Sequence, residues 1–248
     1  MKKILAIALA VLMLASLTAC GESAGSDTYT VGICQLLTHP ALDAATQGFK
    51  DALVAELGEG AVTFKDADAG GEYNNCATIV DGFVAEGVDL ILANATAPLQ
   101  AAKAATATIP ILGTSVTDYA TALNIANWNG TVGGNVSGTS DLAPLDQQAA
   151  MIQELFPNAK TVGLLFCSAE PNSVYQIEQM KTHLEGMGYT CAEYAFTDVN
   201  DLASVTQTAC DSSGIPIQFY CFTSTYGHRS YQTAAPVVTN LQVHIIQK

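Results

Sequence analysis

Residues 29–57 read YTVGICQ-LLTH-PALDAATQGFKDALVAEL. The first seven alternate around β-branched and apolar residues, the pattern of a buried strand. A four-residue link follows, and then Pro40 stands where a helix can begin, because a first-turn amide has no intrahelical acceptor to lose. From 40 to 57 the spacing is helical and places Leu42, Ala45, Phe49 and Leu53 on one face. Strand, short link and amphipathic helix make a βα unit. The same unit recurs downstream, with strands expected at 61–66, 90–94 and 110–116 and helices at 72–86 and 98–107. Alternation of this kind predicts a parallel sheet with helices on both faces.

The alternation then breaks. Residues 118–142 place Gly130, Gly133, Gly134 and Gly138 among Asn, Thr and Ser, the composition of a connection rather than a packed element. It restarts with a helix at 144–156, a strand at 161–168, a helix at 172–187, a strand at 190–196 and a helix at 199–210. The expected fold class is α/β in two lobes, one over 29–125 and one over 143–212, joined by a glycine-rich crossover at 126–142. A cleft between two such lobes is a common place for a small ligand.

Residues 1–19 hold Lys2-Lys3, an apolar run from Ile4 to Leu17 and a small-residue end, which is the form of a signal peptide; the run is too short for a membrane span. Leu17-Thr18-Ala19-Cys20 resembles a bacterial lipobox, making Cys20 the expected lipidation site and 20–28 the linker to the anchor. Without the leader the chain keeps 7 basic and 23 acidic residues, a net charge of −16. A surface so acidic repels phosphate backbones and anionic headgroups, so nucleic acid is excluded and membrane association is assigned to the lipid. Cys34, Cys76, Cys167, Cys191, Cys210 and Cys221 form no CxxC pair and read as buried free thiols rather than as disulfides or metal ligands.

In an open parallel sheet, ligands meet the loops at the carboxyl ends of the strands. Four such loops carry the candidate binding residues: Gln35 and His39 after the first strand, Thr96 and Ala97 after the third, Thr117 and Asp118 after the fourth, and Ser168, Glu170, Asn172 and Ser173 after the first strand of the second lobe. Pro40, Pro98 and Pro171 are placed at helix starts, with Thr96 and Ser168 as the expected caps. Uncapped amides at such starts attract carboxylates, while Asp118 and Glu170 could pair with an ammonium group. Capping alone would also account for Thr96, Ser168, Asn172 and Ser173, and His39 reads equally well as a turn residue. Phosphate-binding motifs, a GxSxG elbow and metal-ligand spacing of the histidines are all missing, so neither catalysis, a metal nor a cofactor is expected.

Five stretches together resemble the ABC-transporter substrate-binding proteins of the tryptophan/tyrosine-binding type. They are His39-Pro40-Ala41-Leu42-Asp43-Ala44-Ala45, Ala95-Thr96, Val116-Thr117-Asp118, the run from Gly133 to Asp141, and Ser168-Ala169-Glu170-Pro171-Asn172-Ser173. The resemblance covers about residues 29–212. It implies a type I periplasmic-binding-protein fold with two Rossmann-like lobes, an amino-acid ligand of aromatic type, and an ABC permease and ATPase complex as partner. A ligand-sensing receptor subunit with the same fold is the alternative function. Beyond Ser212 the family's Pro-Thr-Asp-Asn loop is missing, and residues 212–248 contain no Asp or Glu. Residues 213–248 are therefore expected to be an aberrant tail from a frame error or truncation, leaving the second lobe incomplete and, in the extreme, a fragment that does not bind.

Overall fold

The computed structural model describes residues 28–212 and 217–221. The leader, Cys20 and residues 222–248 lie outside the described residues. The first lobe holds β1 (Tyr29–Gln35), α1 (Pro40–Leu57), β2 (Val62–Asp68), α2 (Tyr73–Glu86), β3 (Leu90–Asn94), α3 (Thr96–Ala105), β4 (Ile111–Val116), the single-turn α4 (Tyr119–Ala122) and β5 (Val136–Ser140). The second holds α5 (Leu145–Leu155), β6 (Thr161–Cys167), α6 (Pro171–Gly186), β7 (Thr190–Phe196), α7 (Val199–Asp211) and β8 (Ile217–Cys221). The five-stranded sheet runs β2-β1-β3-β4-β5 and the three-stranded sheet β7-β6-β8, with every pair parallel.

This order follows from the chain's handedness. A right-handed crossover through α1 puts β2 on one side of β1, and a second through α2 puts β3 on the other, so the two helices cover opposite faces. The core divides accordingly. Val31 and Ile33 of β1 pack with Leu92, Phe49 and Leu53 on the α1 face. Cys34 meets Cys76, Val80 and Phe83 of α2 on the other. In the second lobe Val162, Leu164 and Phe166 face Ile177, Met180 and Leu184 of α6, while Leu165 and Cys167 face Phe196 and Leu202.

Three expectations are corrected. Residues 118–142 are not simply a connection, because they contain α4 and the edge strand β5. The reason is close approach: a Cβ at Gly113 or Gly138 would collide with the Tyr119 hydroxyl, and at Gly138 also with the Gly113 backbone, so β5 needs the small residues that made it read as a loop. The second lobe likewise does not stop at Ser212, since β8 pairs with β6 from Thr161↔Ile217 to Leu165↔Cys221. A strand's backbone pairing depends on a short extended apolar run, which IQFYC supplies, and not on the acidity of its neighbourhood. Finally, α3 begins at Thr96, two residues before Pro98, because all of the first-turn amides lack intrahelical acceptors and Pro is tolerated there too.

Gly32 sits under α2 with a built Cβ only 2.6 Å from the Phe83 ring. Gly32→Ala is expected to destabilise the chain by ~1–3 kcal/mol through overpacking. Gly48, inside α1 with nothing within 4 Å of an added Cβ, should behave oppositely. Gly48→Ala is expected to stabilise by about 0.5–1 kcal/mol through helix propensity, and urea unfolding of both variants measures the contrast.

Candidate functional site

The strand order changes direction at β1, so no crossover covers the carboxyl ends of β1 and β3. Hydrogen bonds lace the loops there into one rim: Leu36 N to Asn94 O at 3.2 Å, Ala69 N to Gln35 O at 2.9 Å, Ala95 N to Thr114 O at 3.0 Å and Asp141 N to Val116 O at 3.1 Å.

Gln35 is committed to holding this rim. Its Nε2 donates to Leu37 O at 3.0 Å and Asp43 Oδ1 at 2.7 Å, and its Oε1 accepts from Thr46 Oγ1 at 2.7 Å. Asn94, which the sequence reading had passed over, is fully buried beside it and donates to Leu42 O at 2.8 Å and Thr46 Oγ1 at 2.9 Å. The Asn94 Oδ1 has no hydrogen-bond partner among the described residues. This network explains how α1 is docked on the sheet end: an amide buried in β3 bonds to a second lone pair of the Leu42 carbonyl in the helix's first turn. His39 is the N-cap of α1, its Nδ1 accepting from Ala41 N at 3.2 Å, so the turn reading describes its ring.

Thr96 and Ala97 are buried in the first turn of α3, where helix geometry leaves their amides without intrahelical acceptors. Thr96 is not the cap that was expected. The N-cap is Ala95, at φ 105° and ψ 171°, a region rarely adopted outside glycine. That conformation turns β3 into α3 without a linker and aims the helix start along the strand end. Backbone strain of ~1–3 kcal/mol held in such a position is a feature of ligand-facing turns.

Thr117 is buried, its carbonyl accepting from Ser140 Oγ at 2.7 Å. Asp118 caps α4 through Oδ1, which accepts from Thr121 N at 2.7 Å. Behind it the Tyr119 hydroxyl donates to Thr139 O at 3.2 Å, and its pKa is pushed up to about 12, first by burial and then by the nearby Asp141 charge.

In the second lobe Ser168 is exposed and donates to Phe196 O at 3.2 Å, tying the ends of β6 and β7 together. It does not cap α6, because the helix starts at Pro171 and Glu170 occupies the N-cap. Glu170 is only 2% exposed, and its Oε2 accepts from Ser173 Oγ at 2.8 Å. A carboxylate so buried is tolerable at a helix start, where the dipole is positive and a hydroxyl is supplied. Asn172 and Ser173 are buried alongside it.

The two lobes meet here. Helix α4 of the first packs against α6 of the second. Tyr175, one turn into α6, has its hydroxyl pushed up by burial and by the charge of Asp118. Asp118 and the Glu170–Ser173 turn therefore belong to facing sides of one junction, and Tyr175 is a further residue of it that the loop search missed. Among the described residues no group of three His, Cys, Asp or Glu is placed to hold a metal ion, and no helix is long and apolar enough to cross a membrane.

Two α/β lobes meeting through their carboxyl-end loops define a two-lobed binding protein. The model of the ABC transporter substrate binding protein family matches residues 30–228, and the chain belongs to that family. The match runs past Ser212, in keeping with β8. A tyrosine-binding protein of Clostridioides difficile is 33% identical over an alignment covering 77% of this chain and 60% of that relative, so the chain spans about 60% of the length of the curated protein it matches. An L-Trp complex from Streptococcus pneumoniae is 30% identical with a TM-score of 0.76, covering 84% of this chain and 71% of that one. A ligand-free, open substrate-binding protein with adhesive properties from Clostridium difficile is 29% identical with a TM-score of 0.59, covering 84% and 72%. The fold is the type I periplasmic-binding-protein fold.

Removing the Ser173 hydroxyl leaves the buried Glu170 carboxylate short of a donor, which is expected to cost about 1–3 kcal/mol. A double-mutant cycle of Ser173→Ala with Glu170→Gln, read by urea unfolding, should give a coupling of roughly 0.5–3 kcal/mol.

Proposed function

We propose that the chain is the solute-binding lipoprotein of an ABC importer and captures an aromatic amino acid at the junction of its two lobes. The observation that carries this is that the α3 start at Thr96-Ala97 and the Asp118 carboxylate follow the adjacent strands β3 and β4, with α4 packed across the junction against α6. A zwitterion needs both ends of that arrangement. Its carboxylate goes to the open amides of α3, where the helix dipole is positive. Its ammonium goes to the free oxygen of Asp118, a charge-assisted bond. Tyr175, whose hydroxyl feels the charge of Asp118, is the residue of the second lobe assigned to flank the ligand's side chain. The aromatic class rests on the tyrosine-binding and L-Trp-bound relatives together with that tyrosine. By the same family reasoning the partner is a permease with its ATPase. Residues Leu17–Cys20 support export and lipid anchoring on the extracytoplasmic face of the membrane. No catalytic step is part of this reading.

A thermal-shift screen of the full chain against the twenty amino acids tests it, since a ligand bound only by the folded state raises Tm. L-Trp or L-Tyr is expected to give the largest shift, and no shift with any amino acid would reject the reading. Asp118→Asn should weaken binding roughly tenfold or more, the worth of one charge-assisted hydrogen bond, measured by calorimetry. For the anchor, a palmitate analogue is expected to label the chain in cells and to leave Cys20→Ala unlabelled.

A further inference from the structure

The last inward-facing residue of β1 and the first buried residue of α2 are both cysteines. Cys34 and Cys76 are each 0% exposed and lie in the same core cluster. Their approach follows from the packing. Gly32 and Cys34 share one face of β1, and Gly32 lies directly beneath Phe83 of α2. Because the crossover helix runs antiparallel to the strand, stepping back from Phe83 to Cys76 moves two turns, about 10 Å, in the direction in which β1 advances to Cys34. The two thiols lie near enough there for each to shift the other's ionisation. The Cys76 thiol also reaches Glu72 O at 3.7 Å. Both cysteines are thiols in this structure.

We propose that Cys34 and Cys76 are a disulfide-forming pair, which in an oxidising medium closes a covalent staple between β1 and the first turn of α2 at the edge of the ligand-facing rim. The pair is poised unequally. The neighbouring Cys34 thiol favours the ionised form of Cys76, whereas the pairing and burial push Cys34 up, so Cys76 ionises first. The Cys76 thiolate attacks one sulfur of a small-molecule disulfide and expels one thiolate. Cys34 then gives up its proton and attacks the Cys76 sulfur of the mixed disulfide, expelling the second. Two S–H bonds are lost, one S–S bond forms, and the oxidant is reduced to two thiols. Entry to the buried pair is through the start of α2, which has no side-chain cap and follows Gly70 and Gly71, both at positive φ. Closed, the staple fixes α2 and the Ala69–Gly71 loop one residue below Gln35. The argument is independent of the ligand and of export.

The test equilibrates the full-length reduced chain with oxidised glutathione in dilute urea, traps it with acid, alkylates it and maps the digest by mass spectrometry. The expected product is a peptide pair joined through Cys34 and Cys76, lighter than the dithiol form by two hydrogens and separated by dithiothreitol. The oxidised chain should unfold at a higher temperature than the same sample after reduction, because the link restrains the unfolded chain. Cys76→Ala should show neither change and leave Cys34 open to alkylation. The proposal is overturned if Cys34 and Cys76 are both alkylated without prior reduction, or if either is joined instead to Cys167, Cys191 or glutathione.

Discussion

Parallel strands cannot be joined by a tight turn; each needs a crossover, and the crossover is right-handed. When β1 is followed by neighbours on both of its sides, its two crossovers must lie on opposite faces, and the carboxyl ends of β1 and β3 are left without a covering connection. The rim of Gln35, Asn94, Ala95 and Thr96 exists because of that reversal. The second lobe repeats the plan: β6 has β7 on one side and β8 on the other, and its carboxyl end delivers Ser168 to Ser173. Two reversals, one per lobe, bring two sets of helix starts to one junction.

Holding those starts in place takes close packing rather than loop chemistry. Gly32 lets Phe83 lie on the sheet, and Gly113 with Gly138 makes room for Tyr119, whose hydroxyl then reaches Thr139 O. Asp118 precedes Tyr119 directly, so the depth to which that ring sinks sets where the carboxylate stands. The buried amide of Asn94 does the same for α1, through the Leu42 carbonyl. The strain at Ala95 is sustained by its surroundings: the Ala95 amide is bonded to Thr114 O, and β3 on one side and α3 on the other leave it no freedom to relax.

Most strands and helices of both lobes were legible, because a buried strand and an amphipathic helix each write a period into the residues, and Pro40 marks one start to the residue while the helix expected from 172 starts at Pro171. What was missed shares one cause, a dependence on residues distant in sequence. Strand β5 has the composition of a loop because its neighbours demand glycine, and only the sheet shows who those neighbours are. The caps failed for a related reason. Thr96 and Ser168 are good capping types by local rule, but the helices begin where tertiary packing starts them, leaving Ala95 and Glu170 as the caps. Asn94 went unnoticed because a polar residue at the end of an apolar strand has no local signature of being buried and bonded to a helix fifty residues earlier. The acid-free composition beyond Ser212 was an argument about origin, and composition does not forbid a strand, as β8 shows.

The junction also constrains what a ligand can do to the molecule. Helix α4 is a single turn, and its cap, Asp118, belongs to the first lobe while the helix itself touches α6 of the second. Any group that draws on the remaining oxygen of Asp118 therefore acts on the residue that seats α4, and through α4 on the lobe contact. A group that interacts equally with every arrangement of the lobes leaves that contact as it is, and one that favours a particular arrangement shifts it by no more than its difference in interaction free energy between the two.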